Sequence, residues 1–146
     1  MGRKAKSEGM RVEAVGWQQG HTLFFLLRMK QMNIEELHEY CISLEAVEEK
    51  FPFAKMRGGE SVLVFYVCNH MFALVDLNVG DIVNVKCQPE RILDLRDHYE
   101  WADKASHMNS KYWLGLHISG APDDMTKELI LNSYNIVKEK YTKKRR

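Results

Sequence analysis

The sequence predicts an α+β fold, a two-layer domain with helices packed on an antiparallel sheet. Three observations carry this. A capped amphipathic helix opens at Asn33, residues 62–87 are rich in β-branched and aromatic runs broken by turns, and a long helical pattern closes the chain from Pro122. The order reads helix, three or four strands, helix, one or two strands, helix. A length of 146 residues is that of one domain with tails.

Each element has its own reason. Asn33 suits a helix cap and Glu36 stands three residues on, the spacing of a capping box. Ile34, Leu37, Cys41 and Leu44 then recur at helical spacing, so the helix is predicted to about Leu44 with Cys41 in its core stripe. Phe51-Pro52-Phe53 breaks the pattern, because the residue before proline avoids the helical region. A short strand is predicted near Ala54–Arg57, and Gly58-Gly59 is a turn. Val62–Val67 and Met71–Leu77 read as strands joined by a tight hairpin at Cys68-Asn69-His70. Val62–Val67 is apolar on both faces and is expected to be central or covered on both sides.

Ile82–Cys87 alternates, with Val83, Val85 and Cys87 on one face and Asn84 and Lys86 on the other. Pro89 suits the first turn of a helix running to about Tyr99, with Glu90 favourable at its positive end. Residues 100–110 read as a polar loop. In Lys111–Ile118, Tyr112, Leu114, Leu116 and Ile118 form an apolar face, and Lys111, Trp113, Gly115 and His117 form the other. The last helix starts at Pro122 with Asp123 and Asp124 in its first turn, and carries Met125, Leu129, Ser133, Val137 and Tyr141 at i+4 steps.

Hydrophobic residues are 45% and charged residues 28% of the chain, a globular composition that excludes disorder, collagen and disulfide scaffolds. No apolar run nears the ~20 residues of a membrane span, so no span is expected. The net charge of +1 is unevenly placed. Residues 32–137 hold 9 basic and 17 acidic residues, a net −8, while both ends are basic. This argues against a surface that attracts nucleic acid everywhere and leaves room for basic tails. The domain is expected at 32–142, after a basic extension over 1–31 and before a basic tail at 143–146. The extension is expected to be poorly ordered or non-native. Its apolar patch Leu23-Phe24-Phe25-Leu26-Leu27 is followed by Arg28, Met29 and Lys30 rather than a cleavage site, so a start at Met29 or Met32 is favoured over a signal peptide. Three cysteines without a CxxC pair indicate neither a disulfide framework nor a zinc knuckle, and suit reduced thiols in the cytoplasm.

The face shared by Asn84, Lys86, Lys111, Trp113 and His117 is the main candidate binding surface. Aromatic and basic side chains together can stack a planar group and pair an anion. The competing expectation is that Trp113 packs under a helix or under the 100–110 loop. His107 and Asn109 enter this strand from the loop, as ligand contacts or as turn residues bonding backbone. No metal site and no cofactor are expected, because His98, His107 and His117 fall on three elements without ligand spacing. No catalytic residue is assigned; Cys68 near His70 is the one close Cys/His pair and sits at a hairpin tip.

The quoted residues resemble a known family. Met32-Asn33-Ile34-Glu35-Glu36-Leu37 with Tyr40-Cys41 and Leu44, and Val47-Glu48-Glu49 with Phe51-Pro52-Phe53, are similar to the start of the MmcQ/YjbR-like family. Met71-Phe72-Ala73-Leu74, Val85-Lys86-Cys87-Gln88-Pro89-Glu90, His107-Met108-Asn109 with Lys111 and Trp113, and Leu129-Ile130 with Ser133-Tyr134 and Val137 continue it in order. The resemblance implies a compact α+β fold laid out like type III secretion chaperones and CyaY-like double-wing domains. It also implies a small, bacterial, cytoplasmic protein of a kind labelled DNA-binding on fold-level grounds. Where the family has a Pro-Gly turn after Leu44, this chain has Glu45-Ala46, which would lengthen the first helix. The expected function is that of a non-enzymatic binding domain with nucleic acid as ligand. The alternatives are a small anionic or planar ligand on the outer sheet face, or a chaperone-like protein-interaction module.

Overall fold

The computed structural model describes residues 30–144. The basic front segment through Met29, with its Leu23–Leu27 patch, and the last two residues of the basic tail lie outside the described residues. The elements are α1 (Ile34–Ser43), β1 (Glu48–Lys50), β2 (Val62–Val67), β3 (His70–Asp76), β4 (Ile82–Lys86), α2 (Pro89–His98), β5 (Ala102–Lys104), β6 (Trp113–His117) and α3 (Asp123–Lys144). The six strands form one antiparallel sheet in the order β1-β2-β3-β4-β6-β5.

Helix α1 starts as the sequence dictates. The Asn33 side chain accepts from the Glu36 N–H at 2.8 Å, and the Glu36 carboxylate accepts from the Asn33 N–H at 3.0 Å. It ends at Ser43, with Leu44 as its cap, and does not lengthen through Glu45-Ala46. Ala46 adopts φ 65°, so an alanine takes the left-handed turn otherwise left to glycine. The β2–β3 hairpin closes with Cys68 and Asn69 at φ 54° and 65°, the positive pair that a two-residue turn of matching twist requires.

Leu37 and Cys41 of α1, Ile92 and Leu95 of α2, and Leu129, Ile130 and Val137 of α3 pack on one sheet face. Phe65, Phe72, Val83, Val85, Leu114 and Leu116 meet them from the strands. Phe72 and Tyr134 pack edge to face at 5.5 Å, and the Tyr134 hydroxyl donates to the Glu45 carbonyl at 2.6 Å. Ser133 on α3 is fully buried. Its hydroxyl accepts from the Lys86 N–H at 2.8 Å and donates to the Phe72 carbonyl at 2.6 Å. It stands where the β3–β4 ladder would form its next rung after Ala73–Val85.

Three expectations need correction. The strand predicted near Ala54–Arg57 is a series of turns, and the strand of that region is β1 at Glu48–Lys50. All three β1 residues are exposed, so no alternation marked them. The 100–110 loop contains the edge strand β5, too short to show a period. Lys111 and Tyr112 precede β6, because Asn109 turns the chain there: its carbonyl accepts from the Tyr112 and Trp113 N–H groups. Tyr112 is accordingly exposed and does not share the apolar face of Leu114 and Leu116.

Candidate functional site

Among the described residues, no helix packs on the sheet's other face. Loops cover part of it instead. Val64, Leu74, Ala105 and Trp113 form a second buried cluster there, with Phe53, Tyr66, Met71 and Met108 packed around it. Trp113 is only 7% exposed. It packs partly under the 100–110 loop through Ala105 and Met108, so the indole is not an open stacking platform. The ammonium of Lys86, its register partner, lies 5.6 Å from the ring centre.

The alternation of β4 and β6 places Asn84, Lys86, Trp113, Gly115 and His117 on this face, with Asn84 opposite Gly115 and Ile82 opposite His117. Their environments differ. His117 Nδ1 lies 3.0 Å from Asp81 Oδ2 and its Nε2 3.3 Å from Asp103 Oδ2, so both ring nitrogens are engaged. Burial works against its charge, but the hydrogen bonds and charges of Asp81 and Asp103 outweigh burial and raise its pKa. Asp81 is held low by the His117 ring and the Ser119 N–H against its own burial. Asp103 is held low by the Lys104 N–H and by His117. Asn109 serves the turn: its Oδ1 accepts from the Lys111 N–H at 3.0 Å. Lys111 projects from that turn beside Tyr112, its ammonium 5.5 Å from the ring centre.

Asn84 and His107 come together at a cavity of about 590 Å³. Val62, Leu74 and Ile82 contribute apolar surface, Asp76 a carboxylate, and the loop 53–59 and the segment Ser106–Met108 line the other sides. The first loop is packed tightly: a Cβ on Gly59 would stand 2.5 Å from the Phe53 carbonyl oxygen, so only glycine fits. His107 takes φ 63° in the second segment. Asn84 is 9% exposed, and its Nδ2 donates to the Ser106 carbonyl at 3.2 Å. Its Oδ1 is buried, with no hydrogen-bond partner among the described residues. That oxygen lies 3.4 Å from where a Gly115 Cβ would stand, and the Lys104 carbonyl oxygen lies 2.8 Å from the same point. A buried acceptor left unpaired costs about 1–3 kcal/mol.

Sequence reasoning named Asn84 and His107 but missed Phe53, Met56 and Arg57. The available signal was Gly58-Gly59, read only as a turn. A second groove of about 600 Å³ lies between α1 and β1–β3. Its polar side chains His38 and Glu49 satisfy each other at 2.7 Å. Among the described residues no three His, Cys, Asp or Glu side chains are grouped to hold a metal, and no helix is long and apolar enough to cross a membrane.

The YjbR family model matches residues 42–136, which holds the whole described sheet, all of α2 and the first 14 of the 22 residues of α3. The chain belongs to the YjbR family. A crystal structure of a Deinococcus radiodurans protein with a DUF419 domain is 29% identical, with a TM-score of 0.66, covering 75% of this chain and 81% of that one. A Pseudomonas syringae protein is 21% identical, with a TM-score of 0.61, covering 73% of this chain and 99% of that one, and speaks for the fold alone. No curated protein matches. Both share the α+β sheet-and-helix layout of this chain.

Proposed function

We propose that this YjbR-family protein is a non-enzymatic binding domain that takes a small planar molecule in the cavity on the outer sheet face. The observation that carries this is the buried carbonyl of Asn84, without a partner among the described residues, on a largely apolar cavity wall that also holds Arg57, Asp76 and His107. Apolar walls with a few placed polar groups are the common form of a small-molecule site. The nucleic-acid reading has less support. Trp113 is buried, Asn109 is used in a turn, and residues 32–137 carry a net −8. Lys86, Lys111 and the basic tail are left as phosphate contacts, which gives weak and salt-sensitive affinity. The three free thiols support a reducing, cytoplasmic setting.

Thermal unfolding of the full chain against a metabolite collection tests the proposal. A true ligand raises Tm with the logarithm of its concentration, by about 2.7 kcal/mol of stability at a hundred times Kd. Anisotropy of a labelled duplex between 50 and 300 mM salt (about 10-fold or more weakening expected for several phosphate contacts) provides the opposing arm. Micromolar duplex binding that Lys86→Ala with Lys111→Ala abolishes, together with no stabilising metabolite, would sink the small-molecule reading.

A further inference from the structure

We infer that the ligand of this cavity is an aromatic molecule bearing an N–H donor, recognised by the Asn84 carbonyl; this rests on the small-molecule reading above. The Asn84 amide is unevenly used. One Nδ2 N–H donates to the Ser106 carbonyl, whereas Oδ1 has no partner among the described residues. An acceptor with no partner selects a ligand that donates, because a ligand with only acceptors leaves Oδ1 unpaired. The walls add apolar chemistry. Phe53, Met56 and Met108 line the cavity, and an aromatic ring with two thioethers favours an aromatic guest. Arg57 and Asp76 give the lining one charge of each sign, so charge does not select the ligand. Asp76 Oδ1 is moreover taken by the Ser61 hydroxyl at 2.6 Å and the Asn78 N–H at 3.0 Å.

Oδ1 is closed off from solvent, so recognition by it requires Ser106–Met108 to step outward. That segment is tied to Asn84 by the one hydrogen bond of 3.2 Å. Gly115 lets the neighbouring strand approach closely here, since a Cβ would stand 2.8 Å from the Lys104 carbonyl oxygen and 3.4 Å from Asn84 Oδ1.

Indole and 1-methylindole are the probes. They share one aromatic body and differ in the donor. Backbone amide shifts of the full chain are followed by NMR on titration with each. Indole is expected to move Ser106, His107 and Met108 together with Gly58 and Gly59, and to bind about 3–10-fold more tightly than 1-methylindole. Asn84→Leu is expected to level the two. The comparison on the unmodified chain stands even if that variant fails to fold. Equal affinity of the two probes at the cavity overturns the donor inference and leaves the small-molecule reading standing. No shift at the cavity with either probe up to its solubility limit overturns both.

Discussion

Ser133→Ala removes one oxygen from the middle of the core. The hydroxyl carries the Lys86 N–H to the Phe72 carbonyl through contacts of 2.8 and 2.6 Å, in a residue with no solvent exposure. Alanine leaves a buried donor and a buried acceptor facing a space too small for water. Each of the two orphaned groups costs about 1–3 kcal/mol, so the expected loss is about 2–6 kcal/mol. For a domain of this length that lowers Tm by about 8–24 °C. Urea unfolding followed by circular dichroism should show the midpoint fall at unchanged slope. Ser133→Thr keeps the hydroxyl and should recover most of the loss. A loss below about 1 kcal/mol for alanine would refute the reasoning. It would mean that β3 and β4 close the rung directly once the hydroxyl is gone, so that Ser133 separates the strands rather than joining them.

Two further outcomes are expected. Trp113→Ala should cost about 3–5 kcal/mol by urea unfolding, because the indole is buried between strand and loop; a cost near zero would return the ring to the surface and restore a stacking role. The Asp81–His117–Asp103 cluster should make stability depend on pH. His117 has a raised pKa, so its contribution is full below the ordinary histidine value and is lost as pH rises through the folded value. The two carboxylates have lowered pKa values, so theirs is present above the ordinary Asp value and lost as pH falls through the folded ones. The cluster therefore stabilises most between about pH 4 and 6.5. His117→Gln should flatten the fall in urea midpoint from pH 6 to 8; an unchanged profile would remove His117 as its source.

Much of the fold was legible because its signals are local. The capping box at Asn33, the Asn69 hairpin and the alternation from Ile82 to Lys86 are written in neighbouring residues. Alternation also placed Asn84, Lys86, Trp113 and His117 on one face. β1 and β5 escaped because three-residue edge strands show no period and are held by their neighbours' hydrogen bonds. The candidate site was half legible. Asn84 and His107 were named, but the wall that Phe53, Met56 and Arg57 supply comes from a loop some thirty residues before Asn84.

What covers a face is a separate matter from which residues share it. The sequence by itself determined the helix starts, the turns and the two sides of each long strand, since these follow from backbone sterics and periods of 3.6 and 2. Only the tertiary structure decided that loops bury Trp113, that two carboxylates occupy His117, and that a serine on α3 completes a strand ladder. Those outcomes depend on contacts between residues far apart in the chain. Such contacts are chosen by the packing of the whole domain and leave no periodic trace in any one segment.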